Sequence, residues 1–270
     1  MKVAVVQYST EGCDDILGKA IGFIEESLKE KPDFILLPEL FNTIYFPQYR
    51  GESYFDLATT IPGWVTDRIL ECIEGKNTTV IAPLFEKNSS NYHCSAAILD
   101  SEAGYVGTYR KLHIPSVENI HETYYFKPGD LGHRIFELKG IRFGCMLCYD
   151  RHFPESARIY GLGEVDVLFI SAATPVGARD VWLTEMLAHA YSNGYYVVCS
   201  NRCGVEDRIN FLGTSFIGSY NGNVLAKMGE SDEGIIYQEL DIDEMRTHRS
   251  KLAFYRDRRP DLYCELILKK

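Results

Sequence analysis

The sequence predicts an α/β fold, and three observations carry that prediction. Short, largely apolar runs such as Val3–Val6, Phe34–Leu37 and Val165–Ser171 have the length and composition of strands buried on both faces. Between them lie segments with helical spacing, most plainly Leu17, Ile21, Ile24 and Leu28. Strand and helix signals also alternate along the chain, with about a dozen strands and four or more helices, the order that builds layered α/β domains. No fixed-period repeat or low-complexity linker interrupts the series, so residues 1–270 are expected to form one domain.

Val3–Val6 reads as the first strand. The apolar stripe from Leu17 to Leu28 forms a helix that Gly22 weakens without ending it. Pro32 separates it from the strand Phe34–Leu37, after which Tyr, Phe and Pro residues mark a loop from Phe41 to Phe55. Ile61-Pro62-Gly63 introduces a helix reaching Glu74. Strands follow at Thr78–Phe85, His93–Leu99 and Gly104–Lys111. Glu118–Lys127 reads as a connection closed by the turn Lys127-Pro128-Gly129-Asp130.

Ile135–Leu138 and Ile141–Leu147 flank a turn at Lys139-Gly140, and Pro154 opens a helix with Glu155 favourably placed in its first turn. Beyond the strand Val165–Ser171, Asp180 is the expected N-cap of a helix to Ser192. Trp182, Met186 and His189 form one stripe of that helix and Leu183, Leu187 and Ala190 another, so burial on more than one side is expected. Strands at Tyr196–Ser200, Thr214–Ser219, Val224–Lys227 and Gly234–Glu239 complete the series, the middle pair turning at Asn221-Gly222. A short helix over Asp241–Arg249 leads to a basic, aromatic tail, Phe254–Tyr263.

Composition narrows the function. With 28 basic and 38 acidic residues, the net charge of -10 opposes binding to a phosphate backbone. No apolar segment is long enough for a secretory signal or a membrane span. The eight cysteines sit largely in apolar segments, as in VVCSNRC and FGCMLCYD, which suits free thiols in a reducing cytoplasm. Cys145 and Cys148 form a CxxC within one strand, and no second pair completes a zinc site, so no metal is expected.

Chemistry is expected where apolar strands end in polar residues. Glu39 follows Leu36-Leu37-Pro38, Lys111 closes the strand from Gly104, and Cys148 stands between a strand and the helix at Pro154. A thiol at such a junction meets backbone N–H groups that favour thiolate. A carboxylate, an ammonium and a thiol supply a base, an oxyanion clamp and a nucleophile for attack on a planar C–N carbonyl, with the Tyr149 N–H as a second donor.

The pieces Leu37-Pro38-Glu39, Tyr109-Arg110-Lys111-Leu112-His113-Ile114-Pro115 and Gly144-Cys145-Met146-Leu147-Cys148-Tyr149-Asp150 resemble, in this order, the nitrilase or carbon–nitrogen hydrolase superfamily. The resemblance spans the whole chain. It implies a four-layer α-β-β-α sandwich, a Glu39–Lys111–Cys148 triad without cofactor, and homodimers or larger homo-oligomers with the arm 250–270 at a subunit seam. It also implies a second glutamate, Glu122, that orients the lysine.

Tyr124–Asp130, Asn201–Glu206 and Phe254–Pro260 are similar to the N-carbamoyl branch. Arg151 is then expected to grip a substrate carboxylate by a bidentate pair, which favours an N-carbamoyl-β-alanine-like substrate. His113, His121, Asn201 and Tyr45 are the remaining candidates around the substrate, with Asn201 fixing a pocket loop. The alternatives are an ω-amidase or nitrilase, an N-carbamoylputrescine or N-carbamoyl-D-amino-acid amidohydrolase, and a catalytically silent assembly protein.

Overall fold

The computed structural model describes residues 1–264. In chain order its regular elements are β1 (Lys2–Gln7), α1 (Ile16–Leu28), β2 (Phe34–Leu36), α2 (Trp64–Ile73), β3 (Thr79–Asn88), β4 (Asn91–Asp100) and β5 (Gly104–Arg110). Next come α3 (Glu122–Tyr125), β6 (Ile135–Leu138), β7 (Ile141–Leu147), α4 (Pro154–Leu162), β8 (Val167–Ala172), α5 (Arg179–Asn193) and β9 (Tyr196–Asn201). The last are β10 (Cys203–Glu206), β11 (Ile209–Leu212), β12 (Phe216–Gly218), β13 (Val224–Lys227), β14 (Gly234–Glu239) and α6 (Ile242–Lys251).

Two six-stranded sheets, ordered β14-β1-β2-β3-β4-β5 and β13-β12-β9-β8-β7-β6, lie face to face. The period-2 alternation of side chains assigns the layers. Val3, Val5, Phe34 and Leu36 of the first sheet meet Phe143, Cys145, Leu147, Phe169 and Val198 of the second between the sheets. Their neighbours Ala4, Val6, Ile35 and Leu37 face outward onto α1 and α2. Met146, Leu168, Ile170 and Val197 likewise face α4 and α5. Strands apolar on both faces therefore make an α-β-β-α sandwich, as expected. Among the described residues no helix is long and apolar enough to cross a membrane.

β1, β2 and β3 are mutually parallel, and two antiparallel steps return β5 to the same direction. β7, β8 and β9 are also parallel. The Ser171 hydroxyl donates to the Leu37 carbonyl at 2.7 Å and the Ser200 hydroxyl to Val6 at 2.6 Å, pinning the carboxyl ends of both parallel sets together. Polar chemistry gathers outside such ends because no further ladder pairing occupies the space there.

Some expectations shift. Helix α5 starts at Arg179, directly after a tight turn over Val176–Ala178, so Asp180 lies inside the first turn instead of capping it. The segment expected as a connection contains α3, a single turn too short for periodicity to reveal. β10 and β11 form a separate hairpin that the sequence reading missed, because its tip, Asp207-Arg208, lacks the usual Asn-Gly signal. Of the arm 250–270, Tyr255 donates to the Asn193 carbonyl at 2.5 Å; residues 265–270 lie outside the described residues.

Gly144 on β7 lets the fully buried Tyr160 ring lie directly against the strand, and a Cβ there would overlap the ring. Gly144→Ala is expected to destabilise the fold by about 2 kcal/mol, the usual cost of overpacking. Thermal or denaturant unfolding checks this, and an unchanged transition would contradict it.

Candidate active site

Glu39, Lys111 and Cys148 each stand just beyond a strand end, after β2, β5 and β7 respectively. The sandwich brings the three chain positions to one place. Lys111 is fully buried, and its Nζ donates to Glu39 Oε1 at 2.9 Å and to Glu122 Oε2 at 2.6 Å. Glu122, at the start of α3, also accepts from the Tyr45 hydroxyl at 2.8 Å. The expected cation thus sits between two buried carboxylates.

The electrostatics follow from that burial. Desolvation pushes the Lys111 ammonium down, but the Glu122 and Glu39 charges outweigh it and hold the pKa well above 10.5. Burial raises Glu122 above the ordinary glutamate range; Lys111 opposes the rise and Glu39 adds to it. The Cys148 thiol is pushed up to about 11, first by burial and then by the Glu39 charge, with Lys111 and Arg151 opposing. Cys148 is therefore neutral at rest and needs a base to remove its proton.

Glu39 is held from one side only. Its Oε1 accepts from Lys111 and from the Cys94 thiol at 3.5 Å, whereas its buried Oε2 has no hydrogen-bond partner among the described residues. A buried unpartnered carboxylate oxygen is rare enough to require a role. Here it leaves one basic atom for a transferable proton.

The backbone around Glu39 is pinned by Arg202, a fully buried residue. It donates to the carbonyls of Glu39 at 3.1 Å, Leu40 at 2.9 Å and Thr43 at 3.0 Å, while pairing with Glu206. Leu40 needs that support, because its φ of 52° is left-handed. Cys148 has a left-handed φ of 39° too, which puts its side chain at a sharp strand-to-helix corner. Tyr149 lies in the first turn of the segment that follows, where N–H groups have no intrahelical acceptor. Its amide is thus available beside the thiol.

Asp150 ties the nucleophile corner to the lysine loop. It accepts from Leu147 N at 3.1 Å, the Tyr109 hydroxyl at 2.6 Å, His113 N at 2.9 Å and His113 Nδ1 at 2.8 Å. The His113 ring also stacks on Phe153 at 3.6 Å. His121 N–H donates to the Pro47 carbonyl at 2.7 Å, and the His121 ring makes no hydrogen bond among the described residues. Asn201 clamps a loop, accepting from Thr174 N at 2.8 Å and donating to the Gly213 carbonyl at 2.9 Å.

Arg151 differs from the expected free fork. Its Nε pairs with Glu185 at 3.0 Å, and its Nη1 donates to the Cys148 carbonyl at 3.1 Å and to Thr174 Oγ1 at 3.2 Å. Much of its donor capacity is therefore used inside the protein. Sequence reasoning missed Cys94, Thr174 and the support given by Arg202. Thr174 was open to the criterion that found Glu39, being polar at the end of an apolar strand; nothing in the strand pattern marks Cys94.

Known proteins resemble this chain along nearly its whole length. The family model described as carbon-nitrogen hydrolase matches residues 2–250. The chain is 33% identical to an N-carbamoylputrescine amidase of Solanum lycopersicum, over 98% of this chain and 94% of the relative. It is 33% identical to a citrullinase of Francisella tularensis, over 100% of this chain and 99% of that one. A carbon-nitrogen hydrolase structure from Helicobacter pylori superposes with a TM-score of 0.92 at 30% identity, covering 99% of this chain and 98% of the other. The family match over nearly the whole chain and the similarity to these amidases make this protein an amidohydrolase belonging to the carbon-nitrogen hydrolase family.

Proposed function

We propose that the protein hydrolyses a terminal ureido group, releasing ammonia, carbon dioxide and an amine. The observation that carries this reading is the buried Glu39–Lys111–Glu122 cluster beside Cys148, with Glu39 Oε2 left unpartnered among the described residues. Cys148 Sγ attacks the ureido carbon while its proton passes to Glu39. Lys111 Nζ and the Tyr149 N–H stabilise the oxyanion that forms. Glu39 returns the proton to the departing nitrogen, and ammonia leaves a thioester. Glu39 then takes a proton from water, which attacks the thioester and regenerates the thiol. The carbamate released loses carbon dioxide unaided.

Glu122 holds Lys111 in place, and Tyr45 holds Glu122. An already engaged Arg151 weighs against a carboxylate held directly at that guanidinium. Similarity to the N-carbamoylputrescine amidase and the citrullinase favours an aminoalkyl urea over the β-amino-acid type expected from the sequence.

The test is paired ammonia and carbon dioxide release from N-carbamoylputrescine, citrulline, N-carbamoyl-β-alanine, N-carbamoyl-D-amino acids, simple amides and nitriles. Equal release of both products, fastest from the first two, is the expected result. Ammonia alone from an amide or nitrile would overturn the ureido assignment. Preference for N-carbamoyl-β-alanine would restore the carboxylate-binding role to Arg151.

A further inference from the structure

Beyond the triad, one polar atom approaches the sulfur. Thr174, fully buried just past β8, places its Oγ1 3.7 Å from Cys148 Sγ. Its backbone is held on both sides by Asn201, which accepts from Thr174 N at 2.8 Å and donates to Thr174 O at 3.3 Å. The hydroxyl is thus fixed by the fold before any substrate arrives.

The direction of its hydrogen bond follows from counting donors. Arg151 Nη1 carries two N–H groups, and its nearest acceptors are the Cys148 carbonyl at 3.1 Å and Thr174 Oγ1 at 3.2 Å; Cys148 Sγ is farther, at 3.8 Å. Guanidinium only donates, so Thr174 Oγ1 accepts from it and its own O–H points elsewhere. Cys148 Sγ is the other side-chain partner of that oxygen among the described residues. Arg151 is itself fixed, by Glu185 on Nε, by its carbonyl accepting from His189 Nε2 at 2.7 Å, and by the Trp182 ring 5.2 Å below the guanidinium.

We propose that Thr174 is a further catalytic residue: its hydroxyl, ordered by Arg151, donates a hydrogen bond to Cys148 Sγ as the thiolate forms. The Cys148 S–H bond breaks, the proton moves to Glu39, and Thr174 keeps its own hydrogen. In the thiol state the hydroxyl rotates to let S–H donate to it; in the thiolate state it reverses. The same donor stabilises the sulfur when the thioester opens. Arg151 on this account is a positioning residue, which explains its commitment inside the protein. The inference rests on Cys148 being the nucleophile but not on the identity of the substrate.

The experiment measures alkylation of Cys148 by iodoacetamide, followed by mass spectrometry of the Cys148 peptide, from neutral pH up to the limit of folding. Below the thiol midpoint the rate tracks the thiolate fraction, so losing one hydrogen bond to an ionised acceptor is expected to slow Thr174→Val about tenfold at each pH in that range. Thr174→Ala repeats the test should valine not be accommodated, and Thr174→Ser is expected to recover most of the wild-type rate. Turnover should fall in parallel through kcat with KM little changed. Wild-type alkylation in both Thr174→Val and Thr174→Ala, or no recovery in a folded Thr174→Ser, would overturn the proposal. Because the readout is alkylation of the Cys148 sulfur and not turnover of a ureido substrate, an incorrect ureido assignment would leave this result untouched.

Discussion

Lys111→Met will lower kcat/KM by about 10²–10³-fold, the scale set by losing a preorganised oxyanion donor, and will also weaken the fold. Methionine has a similar length, so the cavity stays filled and the loss is electrostatic. With Nζ gone, Glu39 and Glu122 face each other at 1% exposure with no cation between them. Leaving a buried charge unpaired costs about 3–5 kcal/mol, and one carboxylate will hold a proton to reduce that cost.

The pH dependence has a definite sign. Lys111 has a folded pKa above its ordinary value of 10.5, so its stabilisation is complete below that pH and is lost only as pH rises through the folded value. The wild type should therefore lose this contribution in strong alkali, whereas Lys111→Met lacks it throughout. Denaturant titrations across pH, beside steady-state kinetics, check both parts. Near-normal turnover in Lys111→Met would remove the lysine from the mechanism.

Cys148→Ala will lose at least about 10⁴-fold in turnover, as expected when a covalent nucleophile is removed, and will stay folded. Its backbone adds a second, independent expectation. A left-handed residue other than glycine costs roughly 1 kcal/mol or more, and Cys148 has a φ of 39°. Cys148→Gly should therefore be at least as stable as Cys148→Ala, reversing the order that glycine's greater unfolded-chain entropy gives elsewhere. Melting curves of the two inactive variants settle the comparison. A clear deficit in Cys148→Gly would mean that the corner is not under backbone strain.

How much of this was legible in the sequence depends on the range of the interaction. The strands β1, β2, β7 and β9 announce themselves because residues buried on both faces must be apolar throughout. Glu39, Lys111 and Cys148 stand out for the same reason, as polar groups directly following such runs. Glu122 was visible only through resemblance, since α3 is a single turn held by contacts from elsewhere, including Tyr45.

What stayed hidden is pairing across long sequence separations. Arg202 reaches the carbonyls of Glu39 and Leu40, and Cys94 reaches Glu39, through the register of two sheets that periodicity cannot order. Arg151 was expected to grip a substrate carboxylate. Its commitment to Glu185, 34 residues away on α5, is set by how that helix packs and has no local signature.

During turnover Cys148 is expected to carry the substrate's ureido carbon. The most direct test is a rapid-quench experiment with N-carbamoylputrescine or citrulline labelled at that carbon, followed by peptide mapping. Label is expected on the Cys148 peptide within the first turnover, formed as ammonia is released and lost as carbon dioxide appears. Ammonia release with no protein-bound label at any time, or label on another residue, would contradict this expectation.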